Sequence, residues 1–145
     1  MSKTEDFLSK EEEKDIVEAI IQAEKNTSGE IRIHIEENSQ KPPLERAQEV
    51  FHHLGMDKTG LRNGVLFYIC MQSRTFAVIG DKGINDLVEP DFWDCTKDAV
   101  LSSFKEGQYK NGLVSGILRA GERLKQHFPF EKDDTDELSN EISRG

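Results

Sequence analysis

Residues 65–71, Val-Leu-Phe-Tyr-Ile-Cys-Met, carry apolar or aromatic side chains at both parities, so the strand they form has to be covered on both faces. A one-sided sheet is thereby excluded, and helices are needed on two sides of a central strand. The preceding segments supply a strand and a helix. Residues 30–36 alternate strictly, with Ile31, Ile33 and Ile35 on one side and Glu30, Arg32, His34 and Glu36 on the other, which predicts a strand with one face at least partly wet. Between the two strands, Pro42 and Pro43 open a helix with Leu44, Ala47, Val50, Phe51 and Leu54 as its buried stripe and Gly55 as its left-handed stop. A strand, a crossover helix and a second strand make a parallel pair.

The remaining elements follow from the same signals. Ser9 and Glu12 stand at capping-box spacing before Ile16, Val17, Ala19, Ile20 and Ala23, which predicts a helix over 9–25. Gln72, Ser73 and Arg74 leave room only for an antiparallel hairpin into a third strand, 75–79. Pro90 and Asp91 precede a helix with Trp93, Val100, Leu101 and Phe104 inside, ending at Gly107. A last helix begins after Asn111, buries Leu113, Val114, Ile117, Ala120, Leu124 and Phe128, and stops at Pro129. The expected organisation is a flexible segment over 1–8, one α/β domain over 9–129, and a disordered acidic tail over 130–145.

Composition narrows the function classes. With 19 basic and 28 acidic side chains the net charge is -9, which repels nucleic-acid phosphates and anionic membranes and attracts cations or basic protein surfaces. Solubility alone also explains such a charge. No stretch reads as a secretory signal or as the run of about 20 apolar residues that a membrane helix needs, so a cytoplasmic monomer with Cys70 and Cys95 as buried, reduced thiols is expected.

The predicted topology brings three short stretches to one sheet end. In a parallel pair both strands start at the same end, and an antiparallel third strand finishes there. Ser28-Gly29-Glu30, Arg62-Asn63-Gly64 and Gly80-Asp81-Lys82-Gly83 should therefore meet. Glu30 and Asp81 offer carboxylates and Asn63 an amide oxygen, with Asp86 and Asp94 close behind, a hard-oxygen set that suits calcium or magnesium rather than zinc. The amides of Gly80 and Gly83, with Lys82 and Arg62, form a candidate anion-binding surface beside it. Taken by itself, the loop equally suits a turn whose Asp81 caps the next short helix.

Thr27-Ser28-Gly29-Glu30-Ile31 with its alternating strand, Arg62-Asn63-Gly64-Val65-Leu66, the strand and loop from Phe76 to Gly83, and Phe104 through Leu113 resemble the TPM domain family. The resemblance spans about Leu8 to Phe128. It implies a three-layer α/β/α sandwich of Rossmann-like arrangement, divalent-cation binding by acidic residues near the sheet edge, and acid phosphatase activity in plant members. Asp81 is the position that best matches the family's cation site, with Glu30 and Asn63 as weaker matches. Many relatives carry a signal peptide and a membrane helix, which are absent from this sequence.

Other motifs do not survive. Asp134-Thr135-Asp136 is the sequence's Asp-x-Asp, but it lies in the tail instead of after a strand, where an aspartyl-phosphate nucleophile belongs. His52 and His53 point apart on a helix, and His34 and His127 read as structural or solvated. Gly112-Leu113-Val114-Ser115-Gly116 displaces the serine of a nucleophile elbow, and Phe92 and Trp93 read as core anchors. Three functions remain: a cation-binding module with a structural or partner-recognition role, a metal-dependent phosphatase, and a protein-interaction scaffold without a bound ion. No substrate or specific protein partner is identifiable.

Overall fold

In the computed structural model, which describes residues 8–25, 27–58, 62–129 and 142–144, the elements start where their local chemistry directs. Ser9 Oγ accepts the Glu12 N–H and Glu12 Oε1 accepts the Ser9 N–H, each at 3.0 Å, so α1 (Lys10–Glu24) grows from a complete capping box. β1 (Glu30–Glu36) leads to α2 (Pro43–His53), which Gly55 ends at φ 73°. β2 (Gly64–Cys70) turns through Arg74 into β3 (Thr75–Gly80). The short α3 (Lys82–Asn85), α4 (Phe92–Lys105), α5 (Tyr109–His127) and β4 (Ser143–Arg144) complete the chain.

The sheet order is β3-β2-β1-β4, with β1 parallel to β2 and β4, and β3 antiparallel to β2. β2 is buried at all seven positions, as its two-sided apolar pattern requires. Ile31, Ile33 and Ile35 of β1 pack with Phe67 and Ile69 of β2 against α1, α4 and α5, while Leu66, Tyr68 and Cys70 face α2. The result is the expected α/β/α sandwich. Fully burying each such aliphatic or aromatic side chain contributes about 1.5–3 kcal/mol, so the three-helix face carries most of the apolar stabilisation. Gly116 lets α5 settle into that face: a Cβ there would lie 2.8 Å from Val100 Cγ2 and 3.1 Å from the Phe67 ring.

Several local expectations change. The alternating strand is drier than expected: Glu30, His34 and Glu36 are buried and Arg32 is half-buried, with Tyr68 of β2 and Arg46 of α2 closing over Glu36. Leu8 is also buried, so the ordered domain begins before Ser9. α5 starts at Tyr109 instead of after Asn111, since Tyr109 already packs edge-on against Phe104 with ring centroids 5.1 Å apart. Leu44, expected in the buried stripe of α2, is 54 % exposed where the first turn overhangs the sheet edge. Cys95 is exposed and only Cys70 is buried, with neither in a disulfide.

Residues 130–141, and with them Asp134 and Asp136, lie outside the described residues. Ser143 and Arg144 beyond them pair with His34 and Ile35, in contrast to the disorder expected there. Arg144 also forms an ion pair with Glu13.

Candidate functional site

The three stretches do meet. Glu30 is in register with Gly64, and Val65 with Gly80, so the starts of β1 and β2 lie beside the end of β3. The backbone ties them: Asp81 N–H donates to Gly64 O at 2.8 Å, and Gly83 N–H to Arg62 O at 2.7 Å. Arg62 reaches that second bond from a left-handed conformation, φ 53°, uncommon outside glycine.

Asp81 does cap α3, its Oδ1 accepting the Lys82 N–H at 2.7 Å. The same carboxylate is gripped by Arg62, whose Nε donates to Oδ2 at 2.7 Å and whose Nη2 donates to Oδ1 at 3.0 Å. The pair is uneven in exposure. The Asp81 side chain is 6 % exposed and that of Arg62 51 %, so the acid is fixed in the fold while the base can swing into solvent.

Asp81 and Arg62 stand at one end of an open groove of about 500 Å³ between α2 and α4, along the outer side of β3. Asp57 and Asp94 line it too. Asp57 Oδ2 is 2.8 Å from His52 Nδ1, whereas the Asp94 side chain makes no hydrogen bond or ion pair among the described residues. Trp93 forms part of the wall, its Nε1 donating to Asn85 Oδ1 at 2.6 Å. Gly80 makes room for that ring, since a Cβ there would lie 2.6 Å from Trp93 Cζ2.

Of the residues singled out from the sequence, Asp81, Arg62, Gly80 and Asp94 line this groove. Glu30 and Asn63 are buried at the strand starts, and the Asn63 Nδ2 donor has no acceptor among the described residues. Lys82 and Asp86 are exposed and Gly83 is half-buried on α3, away from the groove lining. Among the described residues, no three carboxylate, imidazole or thiolate side chains gather closely enough to form a cation shell. Glu30, Asp81, Asp86 and Asp94 are therefore not assembled around one point.

A second polar cluster lies under α2 and is not readable as a cluster from the sequence. Glu36 takes Arg46 Nε at 3.0 Å to each oxygen, a further bond from Arg46 Nη2, and Tyr68 Oη at 2.5 Å, with His34 Nε2 at 3.2 Å. Burial pushes the Glu36 carboxyl up, but the bonds from Arg46, Tyr68 and His34 outweigh it and hold the group at about 2. Burial lowers the pKa of His34 despite its acidic neighbour, and Tyr68 is raised by burial and by Glu36. His34 Nδ1 meets Ser143 Oγ at 2.9 Å. A strand that alternates charged and apolar residues gives no sign of whether its charged side meets water or an arginine.

A three-layer α/β/α domain with a polar groove along one sheet edge is thus the class of protein defined here. Comparison narrows it. The TPM domain family matches residues 1–123, and the chain belongs to that family. It is 56 % identical to BA42 from the psychrophilic bacterium Bizionia argentinensis, whose NMR structure superposes with a TM-score of 0.90 over 100 % of both chains. An N-terminal domain from P. gingivalis shares the fold at 18 % identity and TM-score 0.69, over 86 % of this chain and 83 % of that one. The N-terminal domain of the cg2496 protein from Corynebacterium glutamicum does so at 12 % identity and TM-score 0.65, over 81 % and 74 %. No curated protein matches. Among the described residues no helix is long and apolar enough to cross a membrane.

Proposed function

We propose that this TPM domain is a binding module that takes up calcium or magnesium at the Asp81 end of the groove, for structure or partner recognition. The observation that carries the reading is the uneven Arg62–Asp81 pair: a carboxylate fixed by the fold, closed only by a side chain half in water. The donor fits a hard cation in kind, being a carboxylate. Asp81 is the residue that would hold the ion, after Arg62 withdraws, with water filling the rest of its shell. The ion therefore competes with a two-bond guanidinium contact, and binds the more weakly for it. When bound, the cation supplies positive charge that a partner's acidic group or a phosphate can share.

The test is an NMR titration with calcium and with magnesium on the unmutated protein and on Asp81→Asn. Shifts centred on the amides of Arg62, Gly80, Asp81 and Gly83, lost in the variant, are the expected result. Unmoved resonances at millimolar ion would end the proposal and leave the ion-free scaffold in its place. The hydrolytic alternative rests on Arg62, which once displaced from Asp81 could steady a phosphate ester beside the metal. Magnesium-dependent turnover of a generic aryl phosphate, lost in Asp81→Asn, would favour that alternative.

A further inference from the structure

The hairpin end of the sheet carries a pocket of about 460 Å³ that shares no lining residue with the Asp81 groove. Its charge layout follows from the fold. Trp93 packs on Gly80 while the Phe104 and Phe76 rings meet at 5.9 Å, so α4 runs opposite to β3 and delivers Lys105 to the hairpin where Arg74 stands. Both cations line the pocket. Asp98, Leu101, Ser102 and Lys105 line it too, at i, i+3, i+4 and i+7 on one face of α4, which sets Asp98 about 10 Å of helix rise back from Lys105. Phe104 and Tyr109 complete the lining, packed edge-on with centroids 5.1 Å apart. Two cations thus stand at one end of an apolar floor and one carboxylate at the other.

Those charges are uncommitted. Among the described residues the side chains of Arg74, Lys105 and Asp98 make no hydrogen bond or ion pair, in a chain with 28 acids against 19 bases. Arg74 also sits at φ 54°, where glycine or asparagine costs the backbone less, so nothing in the turn itself calls for an arginine. We propose that this pocket binds a short apolar peptide with free ends, its carboxylate between Arg74 and Lys105, its side chains on Leu101 and Tyr109, and its amine at Asp98. The dimensions agree: three extended residues span about 10 Å, and the volume falls within the roughly 300–1,000 Å³ of small-molecule sites. Arginine and lysine together suit a carboxylate, and Asp98 stands too far along α4 to oppose it. A plain organic acid would leave Asp98 unmet, and a single amino acid, with its two charges on one carbon, would reach only one end. The proposal does not rest on cation uptake at Asp81, which lies at the other end of β3.

The experiment is an NMR titration of the full chain, in EDTA, with the tripeptide alanyl-leucyl-phenylalanine at millimolar concentration. Shifts should centre on the amides of Arg74, Leu101, Lys105 and Tyr109 and leave those of Arg62 and Asp81 unmoved. Amidating the peptide's carboxyl group should weaken binding by about tenfold, and acetylating its amine by about threefold. Lys105→Gln, at an exposed helix end, and Arg74→Asn, which suits the left-handed turn, should each shrink the difference between free and amidated peptide. Asp98→Asn should erase the difference between free and acetylated peptide. The modified peptides test the same contacts without touching the fold. Absent or scattered shifts, shifts centred on the Asp81 groove, or equal binding of the amidated or of the acetylated peptide would each overturn the proposal.

Discussion

Arg62 and Asp81 face each other through two parallel bonds, of 2.7 and 3.0 Å, across 19 residues of chain. The arginine therefore sits where a cation at Asp81 would sit. Arg62→Gln removes that competitor. Calcium or magnesium should then bind more tightly, by at least a few-fold, in a calorimetric titration. Weaker binding in the variant would mean that Arg62 assists the ion.

Asp81 has a second task as the cap of α3, and two substitutions separate the tasks. Asparagine still caps, whereas alanine leaves the Lys82 N–H without its acceptor. Asp81→Ala should lower the free energy of urea unfolding by about 1 kcal/mol more than Asp81→Asn, while both abolish cation binding. Equal stabilities would show that the cap contributes nothing.

Gly80→Ala should strain the groove wall. The added Cβ would meet Trp93 Cζ2 at 2.6 Å and Ile84 Cγ2 at 2.8 Å, and overpacking of this kind costs about 1–3 kcal/mol. Trp93 is the only tryptophan, so displacement of its ring should appear directly in the fluorescence spectrum. An unchanged spectrum and unchanged stability would show that the wall yields freely.

The Glu36 cluster sets an acid limit. A carboxyl held at about 2 in the fold, against an ordinary value of 4.5, adds stability that is complete above about pH 4.5 and disappears as pH falls toward 2. Glu36→Gln should cost about 2 kcal/mol at pH 7, less than a fully buried pair because Arg46 is one-third exposed, and should flatten the loss of stability between those pH values. Urea unfolding at pH 7 and pH 3 measures both effects.

His34 reports on β4. Its pKa lies below the ordinary 6.5 chiefly because of burial, so folding opposes its protonation, and that contribution to stability is lost as pH drops below 6.5. Removing residues 142–145 takes away Ser143 and the neighbouring strand. The His34 imidazole should then titrate closer to 6.5, which ring-proton NMR resolves; an unmoved value would mean that β4 does not shield it.

The periodic parts of this fold are readable from the residues alone. Two-parity burial of 65–71, the capping box at Ser9 and the short hairpin at Arg74 each leave one sensible local structure, and their chain order brings Glu30, Asn63 and Asp81 to one end. What occupies Asp81 is not readable, because an acid beside a glycine loop serves a metal, a helix cap or an arginine with the same residue type. Exposure is also hidden where an element overhangs the sheet. Leu44 and Trp93 continue apolar stripes in the sequence, yet both border the groove because the sheet ends beneath them.

The two faces of the sheet are unequally secured. α1, α4 and α5 share a large apolar cluster, while α2 rests on a smaller one built around Leu66, Tyr68 and Ala77 and is pinned by the Arg46–Glu36 contact. Partial opening should therefore take the α2 layer first, as a separate cooperative unit with faster amide exchange than β2 or α5. Since α2 is one bank of the groove, the least stable layer of the domain controls how wide its site stands open.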